Sequence, residues 1–186
     1  MKLRYSGLAA LVAAVVAVPV ASQAAPQTCT AGKATPASYT WNFPTEASQL
    51  LNGIQQDANK AEDRASTLDM FTMNSNIDWQ IHAFELNALR REVNDMGRKL
   101  CRLEEIRRVA APWQRKAIDA AAPDILLMAD NTGDAIHFAN EYQNNFWRPS
   151  YRKNVRNVLQ ESGQLNQSMK TFEQLHREQA STTNNS

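Results

Sequence analysis

The chain has 186 residues with 20 basic and 19 acidic side chains, three histidines, two cysteines and a formal net charge of +1. Nothing in this near-neutral balance predicts nucleic-acid binding. Six glycines are too few for a nucleotide fold built on phosphate loops, and no GxSxG, HExxH or CxxCH occurs, which removes the common hydrolase, zinc-protease and covalent-haem signatures.

Residues 1–24 have the order of a secretory signal peptide. Lys2 and Arg4 start it, Leu8 to Val20 is an apolar run of 13 residues, and Ser22-Gln23-Ala24 offers small residues at a cleavage site. The run is shorter than the roughly 20 residues a membrane span needs, and no later stretch is longer, so no transmembrane anchor is expected after processing. Cleavage before Ala25 leaves 186 − 24 = 162 residues with 18 basic and 19 acidic groups, a net charge of −1. The expected location is periplasmic or secreted.

Residues 25–44 hold three prolines among small polar residues and read as an extended arm. Tyr39, Trp41 and Phe43 alternate in it, so an extended chain presents them on one side, where they cover the open end of the domain near Trp113 and Phe172. Cys29 lies in this arm and Cys101 far along the chain; in an oxidising compartment the pair is expected to form a disulfide. The bridge would close a loop of 101 − 29 = 72 residues and stabilise the fold by roughly 4 kcal/mol.

From residue 45 to 179 the apolar pattern is helical. Thr45 is the expected cap of a first helix whose seam is Leu51, Ile54, Ala58, Ala61, Ala65 and Leu68. The Asn-Ser-Asn break at 74–76 follows, with Ser75 and Asp78 spaced as a capping box. A second helix carries Trp79, His82, Leu86, Leu89, Val93, Met96, Leu100 and Leu103, stepping three and four in alternation. A third starts at Ala111-Pro112 and contains Pro123, which is expected to kink or split it. Its stripe is Ile125, Ala129, Thr132, Ile136, Ala139, Gln143 and Phe146. A fourth follows Trp147-Arg148-Pro149-Ser150, with Tyr151, Val155, Val158, Ser162, Leu165, Met169, Phe172 and His176 on its seam. Residues 180–186 form a polar tail expected to be disordered. Long helices joined by short breaks predict an all-α, up-down-up-down antiparallel four-helix bundle, with a pair of dimerising hairpins, and so a homodimer, as the alternative packing.

Chemistry-bearing residues are sparse. Asp134–His137 and Glu173–His176 share an acidic-x-x-His spacing, but in this topology the two histidines stand about 24 Å apart along the bundle, which excludes one shared metal centre. His82 near Met70 and Met73 is the arrangement that could ligate haem, and His137 with Asp134 and Glu141 the one that could hold a surface cation; a haem or metal carrier is therefore the alternative function. The strongest surface signal is basic. Arg98, Lys99, Arg102, Arg107, Arg108, Arg115 and Lys116 gather where the second helix meets the third, a candidate face for an acidic partner or anionic envelope polymer. The sequence thus reads as an exported, non-enzymatic bundle without a cofactor, acting as a scaffold or chaperone through contact with a protein or envelope component.

Overall fold

A computed structural model describes residues 42–74, 76–143 and 145–184. The segment 1–41, with the leader, Cys29, Tyr39 and Trp41, lies outside them, as does Ser75. Four helices run in sequence: α1 (Phe43–Phe71), α2 (Trp79–Ile106), α3 (Pro112–Glu141) and α4 (Pro149–Asn184), with a 3-10 turn at Arg107–Val109 between α2 and α3. Each packs on its sequence neighbours and α1 closes against α4, while the diagonal pairs barely touch. This is the antiparallel four-helix bundle, closed within one chain. No helix among the described residues is long and apolar enough to cross a membrane.

The helix ends differ from expectation in ways that local chemistry explains. Asn42, not Thr45, caps α1: its Oδ1 accepts from the Thr45 backbone N–H at 3.1 Å. Phe43 and Pro44 therefore belong to the first turn rather than to an arm, and a proline there costs no hydrogen bond. Asp78 caps α2 by accepting from Gln80 N at 3.2 Å. At the start of α3 the cap residue is Ala111, which has no polar side chain; Gln114 supplies the bond instead, its Oε1 accepting from Ala111 N–H at 2.8 Å. Pro123 does not split α3, which continues through it. The proline is exposed, so water can reach the carbonyl it leaves unpaired. The fourth helix runs on to Asn184, into the stretch expected to be disordered.

The predicted seams of α1 and α2 fill the core from Leu51 to Leu68 and from His82 to Leu103, and Tyr151, Val155, Val158, Leu165 and Met169 do so from α4. Ala58, Ala61 and Ala65 are fully buried on α1 and let neighbouring helices come close to its backbone. In α3 the buried line is Ile125, Met128, Thr132, Ala135 and Phe138, so Ala129 and Ile136 sit at its edge rather than at its centre. Three assigned seam residues lie outside: Trp79 and His176 are exposed, as is Gln143.

Polar bonds stitch neighbouring helices. Arg64 donates to Glu85 at 2.9 Å between α1 and α2, and Arg156 to Asp69 at 2.8 Å between α4 and α1. Asn166 donates to Glu62 at 2.7 Å lower on the same interface. Gln114 is 1% exposed and donates through Nε2 to Pro44 O at 2.6 Å and Ser48 Oγ at 2.9 Å, tying the start of α3 to the start of α1.

Candidate functional site

The bundle has two unlike ends. One, the entry end, gathers the start of α1, the α2–α3 connection and the end of α4. The other, the double-turn end, gathers the α1–α2 and α3–α4 turns.

The basic residues lie at the entry end, but the fold neutralises most of them. Arg98 pairs with Asp95, and Lys99 with the buried Asp57 of α1. Arg102 donates to Glu46 at 2.6 Å and Glu105 at 2.7 Å, and these bonds raise its pKa further. Arg107 donates to both oxygens of Asp119 at 2.6 and 2.8 Å. The expected basic face is thereby reduced to Arg108, Arg115 and Lys116. The partners Glu46, Asp57 and Asp119 come from other helices, and their spacing along the chain gave no sign of the pairing. Cys101 sits beside Arg102 at this end, half-buried. Trp113 packs on His176, with ring centroids 4.6 Å apart.

The proposed haem ligands do not assemble. Met70 and Met73 are 59% and 66% exposed, whereas His82 is 1% exposed. The His82 imidazole stacks on Phe146 at 4.0 Å, meets Phe71 and Tyr151 edge-on at 5.7 Å, and shares a 3.1 Å hydrogen bond between Nδ1 and the Tyr151 hydroxyl. Its faces and one nitrogen are therefore occupied by protein. Burial pushes its pKa down to about 4, so it is neutral near pH 7, and the same burial pushes the Tyr151 hydroxyl upward. His137 makes only a 3.3 Å contact with Glu141 on an exposed face; Asp134 is exposed one turn away. No group of three or more metal-ligating side chains occurs among the described residues.

Sequence reasoning missed a cleft of about 560 Å³ at the double-turn end. Phe71, Asn74, Asn76, Asp78 and Trp79 line it from the first turn, and Gln143, Phe146 and Trp147 from the second. His82 also lines it and is its most buried member. The signals were present as two polar turns flanked by Trp79 and Trp147, but only the antiparallel topology sets those turns side by side. The same end of the bundle carries most of the large apolar side chains exposed among the described residues. Of the 11 large apolar side chains exposed among the described residues, Met70, Met73, Trp79, Ile81, Phe84, Tyr142 and Trp147 belong to this end. Concentration in one region, rather than scatter, is what distinguishes a contact surface from ordinary exposure.

A second polar cluster lies midway along α3 and α4. Asn131 Nδ2 donates to both oxygens of Glu161 at 3.3 and 3.4 Å, and its Oδ1 accepts from Asn157 at 2.9 Å. Burial nevertheless pushes the Glu161 carboxyl up to about 7, with Asp124 and Asp130 adding like charge, and burial also raises Asp124.

Fold and site together define a four-helix bundle with an aromatic-lined cleft at one end, whose lining among the described residues includes the carboxylate of Asp78 and the neutral His82. The chain matches no family model, no curated protein and no solved structure.

Proposed function

We propose that the protein is an exported, non-enzymatic helical bundle that works by surface contact with a protein or envelope component, and that the double-turn end is its contact face. The observation that carries this reading is that seven exposed large apolar side chains belong to one end of the bundle, two of them, Trp79 and Trp147, lining its cleft, and that this end is farthest from the ion-paired basic residues. Contact surfaces are enriched in aromatic and Met side chains, and Trp79, Phe84, Trp147, Met70 and Met73 supply both kinds. The signal-like leader supports export, and export supports a Cys29–Cys101 bridge. The ion pair of Arg102 with Glu46 holds the neighbourhood of Cys101 against the first turn of α1, which is where the preceding segment joins the bundle. Such a bridge would anchor the entry end and leave the opposite end free for a partner.

Two experiments test this. Fractionation of cells expressing the full chain, with the N-terminal residue determined, should place a form beginning at Ala25 outside the cytoplasm, its intact mass unchanged by a thiol reagent until a reductant is added. Retention on immobilised envelope material should be lost in Phe84→Glu and Met73→Glu and kept in the triple change Arg108→Glu, Arg115→Glu and Lys116→Glu. The reverse pattern would return the function to the basic end.

A further inference from the structure

We infer that the cleft at the double-turn end is a binding site for a neutral saccharide. The inference rests on the contact-face reading and names what that face recognises. The volume of about 560 Å³ lies inside the roughly 300–1,000 Å³ of small-ligand sites.

The lining chemistry narrows the class of occupant. Among the described residues no Lys or Arg lines the cleft, and His82 is held neutral by its burial, so none of them compensates an anion. A purely apolar ligand is equally disfavoured, because Asn74, Asn76, Asp78 and Gln143 would lose water without gaining partners. A quaternary ammonium would need a free carboxylate beside the aromatic rings. Among the described residues the one carboxylate in the lining, Asp78, has Oδ1 committed to Gln80 N as the cap of α2, which makes a quaternary ammonium the competing occupant that the titration must exclude.

What remains is a ligand that is uncharged, rich in donors and acceptors, and apolar on at least one face, which is the chemistry of a sugar ring. Each primary amide offers both a carbonyl acceptor and two donors, matching hydroxyls that must donate and accept at once. The Asn76 and Gln143 amides have no partner among the described residues, and Asn74 commits its Oδ1 to Asn76 N at 3.0 Å but keeps its NH₂. Trp79 and Trp147 provide large rings with electron-rich faces for the C–H face of the sugar. Trp147 is 58% exposed, so more than half of its surface is open to a ligand.

The test is calorimetric titration of the full chain with N-acetylglucosamine, chitobiose, glucose and cellobiose, alongside tetramethylammonium chloride and inorganic phosphate. The expected result is saturable heat with at least one saccharide and none with either ion. Affinity should fall about tenfold or more in Trp147→Ala and again in Gln143→Ala, with helical circular dichroism unchanged and Arg108→Ala binding normally. Absence of saturable heat with all four saccharides overturns the inference, as does saturation by tetramethylammonium or phosphate instead. So does saccharide binding indifferent to both cleft variants. Phe84 lies outside the cleft, so envelope retention lost in Phe84→Glu beside a null saccharide titration would remove this inference and leave the contact face standing.

Discussion

His82 makes the fold acid-sensitive in a way that can be isolated. In the unfolded chain its imidazole titrates at about the ordinary 6.5; in the bundle, burial lowers the value to about 4. Because the folded value is the lower one, the unfolded state takes up the proton first. The stabilisation is complete above pH 6.5, is lost progressively as pH falls towards 4, and does not fall further below that. His82 is 1% exposed, so little solvent screening applies, and the separation corresponds to about 3 kcal/mol. The comparison is His82→Phe, which keeps a ring against Phe146 but cannot titrate. At pH 7.5 the variant should be less stable by about 1–3 kcal/mol, because the Tyr151 hydroxyl is left buried without its partner. Urea unfolding midpoints of both proteins, measured every half pH unit from 7.5 to 4, supply the curve, and subtracting the variant removes the carboxylates common to both. The wild type should lose about 3 kcal/mol relative to His82→Phe across that range, so that the two stabilities converge or cross. A difference that stays constant with pH, or an NMR titration of His82 centred near 6.5, would refute the reasoning and with it the neutral His82 in the cleft lining.

Glu161 behaves in the opposite sense. Its carboxyl is pushed up to about 7 in the fold, so the wild type is best off below the unfolded value near 4.5 and loses stability as pH rises through 7. Glu161→Gln should accordingly gain about 1 kcal/mol at pH 8 after allowance for partial solvent screening, with no gain at pH 4, as thermal unfolding at the two pH values will report. Gly97 and Gly133 lie within α2 and α3, and an added Cβ meets nothing within 4 Å at either. Gly97→Ala and Gly133→Ala should therefore each stabilise by up to about 1 kcal/mol in urea unfolding, and a loss at either would mean that close packing is required there. Gln114→Ala deletes three bonds at the entry end and should cost about 2 kcal/mol, whereas Lys116→Ala, an exposed change two residues further on, should move the same unfolding midpoint little.

The core was legible because a helix repeats every 3.6 residues whatever its surroundings. Leu51 to Leu68 and Leu86 to Leu103 are buried as their spacing demands, and so are Tyr151 to Met169. The same rule failed at the ends of the seams. Trp79, Gln143 and His176 continue the period but are exposed towards the ends of the bundle, His176 with Trp113 of α3 against its ring. In α3 the buried line runs through Met128 and Ala135, with Ala129 and Ile136 at its edge, a choice that the period alone did not make.

By itself, then, the sequence determined the number of helices, their antiparallel order and most of their inward faces, since periodicity and chain breaks are local properties. The tertiary structure alone decided the electrostatics and the site. It brought Glu46, Asp57 and Asp119 across from other helices to quench the basic cluster, and it buried His82 between Phe146 and Tyr151 away from Met70 and Met73. It also set two turns remote from each other in the chain side by side to form the cleft, as Nδ1 of His82 meets Tyr151 across 69 residues. Pairing and enclosure depend on distances between segments remote in sequence, and those distances exist only once the bundle has closed.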